Sequence, residues 1–304
     1  MHLDPLSSES SSGPIMAALT RPYRLDLTVA VLRRLSTNAV DVWDGRSYLR
    51  AIDGNSIVEV HEEADALVAR VYGAPVPGLV ARIERTLGTR ADIEPFVAAA
   101  AQVDWLRALA QRMRGVRPPR YATLWEAIVN AIVFQQVSIH AASAILRRTI
   151  EGLEAPVRLG ERVLYPFPSP QRFLDADPEA LRSFGASVNK VVALRGLARA
   201  IVDGALREDD LEPLTTAAAI ERLVTYRGIG PWTAAVIALR GLGRLDVFPM
   251  RDSGVARSLR ELAGDPEVDA ERILAVLGPQ RGMLYYHLLL GRLAARGEIV
   301  DTGG

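Results

Sequence analysis

Apolar and polar positions follow two different rhythms along the chain. Between residues 21 and 98 they alternate in short runs. Ser56–His61 and Ala66–Val71 alternate with period two, and Leu25–Leu27–Val29 and Tyr48–Ile52 are shorter strand-like runs. Gly45, Gly54–Asn55 and Gly73 separate them, and Leu79–Leu87 has helical spacing. The pattern predicts a small antiparallel sheet with helices on one face. From about residue 99 strand signals nearly vanish. Ala- and Leu-rich segments follow one another at roughly 99–113, 123–134, 138–152, 178–184, 188–203, 216–226, 232–243, 253–263, 269–277 and 281–296. Pro or Gly marks the breaks, among them Pro118–Pro119, Pro166–Phe167–Pro168, Gly230–Pro231 and Gly278–Pro279. The expected fold is therefore mainly α: a Ser-rich disordered tail over 1–20, an N-terminal α/β domain over 21–98, and a helical region over 99–304.

Composition narrows the chemistry. No run of eighteen apolar residues exists, and the N-terminus lacks a basic stretch followed by an apolar core, so a cytoplasmic protein is expected. The chain has no cysteine, which excludes disulfides, thiolate-bound zinc and iron–sulfur clusters. None of the four histidines pairs at metal-ligand spacing on one helix. The net charge is zero, yet residues 101–150 carry Arg107, Arg112, Arg114, Arg117, Arg120, Arg147 and Arg148 against Asp104 and Glu126, so a locally basic face is compatible with the neutral total. Lys190 is the only lysine.

The segment Thr216–Leu259 carries the chemistry. A helix ends near Tyr226, Arg227–Gly228–Ile229–Gly230–Pro231 follows, and a second helix starts at Trp232. Two glycines around one apolar residue make a tight turn in which Ile229 plugs between the helices and the glycines let a partner approach the backbone. Proline suits the first helical turn, and the open N–H groups there, at the positive end of the helix dipole, form a phosphate site that needs no basic side chain. A plain helical hairpin would show the same turn. Downstream, Asp246–Val247–Phe248–Pro249–Met250–Arg251–Asp252 makes a proline-marked loop that brings Asp252 to the start of the next helix.

Together these stretches resemble the helix-hairpin-helix–GPD superfamily of DNA glycosylases, and within it the branch acting on alkylated purines such as 3-methyladenine and 7-methylguanine. Leu124–Val129 running into Gln135–Gln136–Val137–Ser138, and Phe167–Arg172 followed by Asp177–Leu181, are similar as well, so the resemblance spans nearly everything after residue 20. It implies a two-lobed helical body, with about 124–244 forming the hairpin lobe and 99–123 plus 245–304 the other. It implies a monomeric, monofunctional enzyme acting on double-stranded DNA in base excision repair, with Asp252 as the catalytic carboxylate. Asp252 is equally suited to cap the helix that follows, and the two roles are compatible. Asp246 is the rival acid, placed as a turn residue. A bare DNA-binding module and a glycosylase for another damaged purine are the competing readings.

The resemblance further implies DNA contacts at Gln135, Gln136, Gly228, Gly230, Thr233 and Arg281, with Gln136 as the wedge that fills the stack when a base leaves it. The two glutamines would alternatively cap neighbouring helices, and Arg281 either contacts the strand or pairs with an acid. Trp232 is either a wall of the base pocket, its face attracting a cationic base, or a packing residue. Val236 and Gln280 stand where the family suggests aromatics, and Tyr285, Tyr286, Trp125 and Tyr121 are the candidates to compensate. Strand-nicking relatives use a lysine at the position Trp232 holds, which argues against lyase chemistry. No organic cofactor is expected; a monovalent cation at the Arg227, Gly228 and Gly230 backbone is implied by resemblance alone.

Overall fold

The computed structural model describes Leu6, residues 13–250 and residues 253–299. Its N-terminal part contains β1 (Ile15–Ala18), α1 (Leu25–Arg33), β2 (Val42–Trp43), β3 (Tyr48–Asp53), β4 (Ser56–Glu63), β5 (Ala66–Gly73) and α2 (Leu79–Leu87). The strands form one antiparallel sheet in the order β1-β5-β4-β3-β2. Two expectations fail here. A disordered tail over 1–20 does not hold for the described residues, because Ile15–Ala18 pairs with Ala66–Ala69 along the edge of β5 and the Leu6 N–H bonds the Arg158 carbonyl. Leu25–Leu27–Val29 is helical, not a strand. Helix α1 is buried nearly all round: Leu25, Val29 and Leu32 face the sheet core, while Leu27, Ala30 and Val31 face a helical core. A helix covered on both sides shows no 3.6-residue polar rhythm, so its pattern reads equally well as a strand.

The helical part runs α3 (Glu94–Ala100), α4 (Asp104–Arg112), α5 (Leu124–Val133), α6 (Ile139–Leu153), a hairpin of β6 (Val157–Leu159) and β7 (Arg162–Leu164), α7 (Pro170–Asp175), α8 (Pro178–Ser183), α9 (Val188–Val202), α10 (Thr216–Val224), α11 (Pro231–Arg240), α12 (Ser253–Ala263), α13 (Ala270–Leu277) and α14 (Gly282–Ala295). The β6–β7 hairpin escapes sequence reading because each strand has three residues; Val157, Leu159 and Leu164 cover the outer face of the sheet against Leu49, Ile57 and Tyr72. Helix α7 has only six residues, and its sequence signal is the Ser169 cap ahead of Pro170.

Two helical cores result. One joins α5 to α11 around Ile128, Leu194, Leu223 and Ile237. The other joins α3, α4 and α12 to α14 around Phe96, Leu109, Leu259 and Leu289, with α3 starting ahead of the boundary read at residue 99. Leu239, near the end of α11, packs in this second core while Val236 packs in the first, so α11 spans the junction of the two. Arg240, fully buried, donates to the carbonyls of Val31 and Leu32 at 2.9 and 3.4 Å and lies 4.6 Å from the Tyr121 ring centre, tying α11 to α1.

Candidate nucleic-acid interface

The hairpin is built as its sequence requires. Helix α10 ends at Val224, Ile229 is buried between the helices, and its N–H bonds the Tyr226 carbonyl at 3.1 Å. Gly228 has φ +91°, and a Cβ there would stand 2.4 Å from the Cβ of Ala193 on α9. Both the left-handed backbone and the close approach of α9 demand glycine. Gly230 is different. It is extended, it is the N-cap of α11, and a Cβ added to it would meet nothing within 4 Å. Its carbonyl accepts the first intrahelical bond, from the Ala234 N–H at 2.9 Å, while the N–H groups of Trp232 and Thr233 have no backbone acceptor among the described residues. No side chain caps this end. Exposed Gly228, Gly230 and Pro231 therefore frame an open helix N-terminus, the arrangement that accepts a phosphate.

The turn between α5 and α6 lies against this hairpin. The Gln135 carboxamide donates to the Gly228 carbonyl at 2.9 Å and to Thr233 Oγ1 at 2.7 Å. Gln135 is thus a brace, and Thr233, with its hydroxyl accepting from Gln135 and its side chain buried, is part of the same brace. Gln136 is exposed and left-handed at φ +55°, one of two described non-glycine residues with positive φ. Among the described residues it makes no hydrogen bond, and Ser138, not a glutamine, caps α6 by accepting from the Ala141 N–H. Arg281 donates from Nε to the Gly278 carbonyl at 2.7 Å rather than to an acid.

The four expected pocket aromatics divide. Trp232 is half-buried against the hairpin-lobe core, and its indole N–H is buried without a partner among the described residues. Tyr285 is half-buried beside Tyr286. Tyr121 is shut away beneath Arg240, its hydroxyl bonded to Asn130, so it offers a base nothing. Trp125 stands apart from the hairpin. It is the second residue of α5 and Gln135 follows the helix's end, so about ten residues at about 1.5 Å each separate them by about 15 Å. Its indole donates to the Pro168 carbonyl at 2.9 Å, packs edge-on to Phe173, and lines a cavity of about 470 Å3 with Arg50, Phe167 and Glu208, away from the hairpin.

Asp252 lies outside the described residues; α12 begins at the next residue, Ser253. Asp246 accepts from Thr216 Oγ1 at 2.8 Å, stapling the loop after α11 to the start of α10, as befits a turn residue. The Gln280 side-chain oxygen is buried without a partner next to the start of α14. Sequence reading missed what Lys190 does. Its ammonium donates to the carbonyls of Val133 and Gln135, both at 2.9 Å, and burial lowers its pKa. His287 is buried against Phe96 and bonded to the Met283 carbonyl, and burial lowers its pKa to about 4. It is a packing residue, not a base.

Residues 129–278 match the model of the HhH-GPD superfamily of base excision DNA repair proteins. The chain belongs to the HhH-GPD superfamily. Among curated members it is 31% identical over 270 residues to the Mycobacterium tuberculosis protein named "Probable bifunctional transcriptional activator/DNA repair enzyme AlkA", covering 84% of this chain and 52% of that one. It is 36% identical over 143 residues to Escherichia coli DNA-3-methyladenine glycosylase 2, covering 44% and 46%. The chain spans about half the length of these relatives. Its HhH-GPD fold is shared with the 3-methyladenine DNA-glycosylase of Archaeoglobus fulgidus at a TM-score of 0.75 and 24% identity, covering 92% of this chain and 98% of that one.

Proposed function

We propose that the chain is a monofunctional DNA glycosylase that hydrolyses the N-glycosidic bond of alkylated purines in double-stranded DNA, acting as a monomer. One observation carries the reading: an uncapped helix N-terminus able to hold a backbone phosphate is braced by Gln135 to an exposed, left-handed Gln136 able to enter the stack. A phosphate anchor alone would serve a passive DNA binder. A wedge at fixed distance from that anchor serves an enzyme that must extrude a nucleotide, an event costing a few kcal/mol. The names of the relatives supply the alkylated base.

Asp252 is assigned the chemistry. Departure of the base leaves positive charge on the deoxyribose, which an ionised carboxylate at C1′ stabilises while it orients the attacking water. An alkylated purine is already cationic and leaves without a strong general acid. The absence of lyase activity is part of the proposal. Schiff-base chemistry needs a free amine, and the only one on a side chain, Lys190, is held by two carbonyls. The Arg227, Gly228 and Gly230 carbonyls would hold a monovalent cation, whose charge would add to the attraction of the hairpin for a phosphate. Gly228 and Gly230 each accept one hydrogen bond and keep a second lone pair, and neutral oxygens suit a singly charged ion.

The test is incubation with duplexes containing 3-methyladenine, 7-methylguanine, hypoxanthine or ethenoadenine. Alkali-dependent strand breaks at the methylated purines are expected. Breaks that form without alkali contradict the monofunctional assignment, and intact methylated duplexes contradict the proposal.

A further inference from the structure

The chain's single lysine sits at a junction that neither composition nor motif reveals. Lys190 is the third residue of α9, and its ammonium reaches across to the C-terminal end of α5, where it donates to the carbonyls of Val133 and Gln135 at 2.9 Å each. These carbonyls belong to the last turn of α5 and the residue just before Gln136. A cation there meets the negative end of the α5 dipole and satisfies oxygens left without helical partners. The very next residue, Gln136, holds a left-handed backbone that costs free energy for any residue with a Cβ. Three residues after Lys190, one turn along α9, Ala193 is the surface on which Gly228 of the hairpin rests. The Gln135 side chain closes the circuit by bonding Gly228 and Thr233. One helix thus underlies both DNA-facing turns.

We propose that Lys190 is a positioning residue for base extrusion: by clamping the Val133 and Gln135 carbonyls it fixes Gln136 in its left-handed, outward pose at a set distance from the hairpin. The inference rests on the reading of Gln136 as the wedge. Without the clamp the turn relaxes toward right-handed conformations, and each encounter with DNA must re-form the pose before the stack is opened. The cost falls on the opening of the duplex, not on the bond-breaking step.

The experiment compares excision of 7-methylguanine from a fully paired duplex with excision from the same sequence where the lesion lies in a small mismatched bubble, which is already unstacked. The ratio of the two rates measures wedge action. Lys190→Met is expected to lower the ratio at least tenfold and Lys190→Arg, which can still donate to two carbonyls, to restore most of it. Gln136→Ala should lower the ratio too, and adding Lys190→Met to it should lower it no further, because both act through one element. If Lys190→Met proves unfolded by its melting curve, reductive dimethylation of the folded wild-type protein replaces it. The dimethylated amine keeps its charge but has one N–H for two carbonyls, so the ratio should again fall. A ratio unchanged by the lysine change or by dimethylation, while Gln136→Ala lowers it, overturns the role of Lys190 and leaves the wedge standing. A ratio unchanged by Gln136→Ala removes the wedge and this inference with it. An equal loss on both substrates after Lys190→Met marks a merely structural role and also overturns it.

Discussion

Two glycines two residues apart have different duties, and substitution separates them. Gly228→Ala places a methyl against Ala193 on a backbone at φ +91°, so it should lower stability by about 1–3 kcal/mol, read as a fall in Tm. Gly230→Asp meets open space at an N-cap position where aspartate is favoured, so Tm should hold or rise by an amount equivalent to a few tenths of a kcal/mol. The same change sets a carboxylate at the proposed phosphate site. DNA affinity should fall with a weaker salt dependence left behind, and unchanged affinity would reduce the hairpin to a turn. His287 gives a residue-scale pH effect. Its folded pKa of about 4 lies below the ordinary 6.5, so the unfolded chain binds a proton in this interval that the folded chain refuses. Stability is therefore full above about pH 6.5 and falls as the pH drops toward 4, by about 3 kcal/mol for 2.5 pH units. His287→Leu should flatten the pH dependence of Tm across that range.

At the scale of elements, the long helices and the hairpin are legible because glycine and proline punctuate them where backbone geometry requires. What hides is whatever depends on burial from two sides or on contact between distant ends. Helix α1 lacks a polar face, so its period is invisible. The Lys190 clamp joins residues more than fifty positions apart. Trp125 and Gln135 come from one similar stretch, yet they occupy opposite ends of α5; the helical rise alone separates them. The buried ion triad was equally unreadable. Arg50 on β3 bonds Asp41 and Glu126 at 2.6 Å each, locking the sheet to the start of α5. Desolvation pushes the Glu126 pKa up even beside Arg50. Glu126→Ala leaves a buried guanidinium short of one partner and should cost about 3–5 kcal/mol in denaturant unfolding. A change within experimental error would mean that the sheet is held by its apolar core alone.

For the whole molecule, three cores meet along α1 and α11, and the two turns proposed to face DNA lie on the lobe whose core joins α5, α9, α10 and α11. The fold class and the hairpin site were open to sequence reading. The four candidate pocket aromatics were less so, because their surroundings are set by residues far apart in the chain: Tyr121 is sealed inside, Trp125 lines a cavity with Arg50 and Phe167, and Trp232 and Tyr285 keep partly exposed rings. In the proposed reaction a carboxylate stabilises charge on the sugar after the hairpin and wedge have presented it. Asp252→Asn keeps shape and removes charge, and it is measured as single-turnover release of 7-methylguanine from duplex DNA beside binding of an abasic-site duplex. Base release should fall by at least about a hundredfold, of the order expected when a key electrostatic stabiliser is lost, with binding within about threefold of wild type. Wild-type release by the Asp252→Asn protein would contradict the proposed role of the carboxylate.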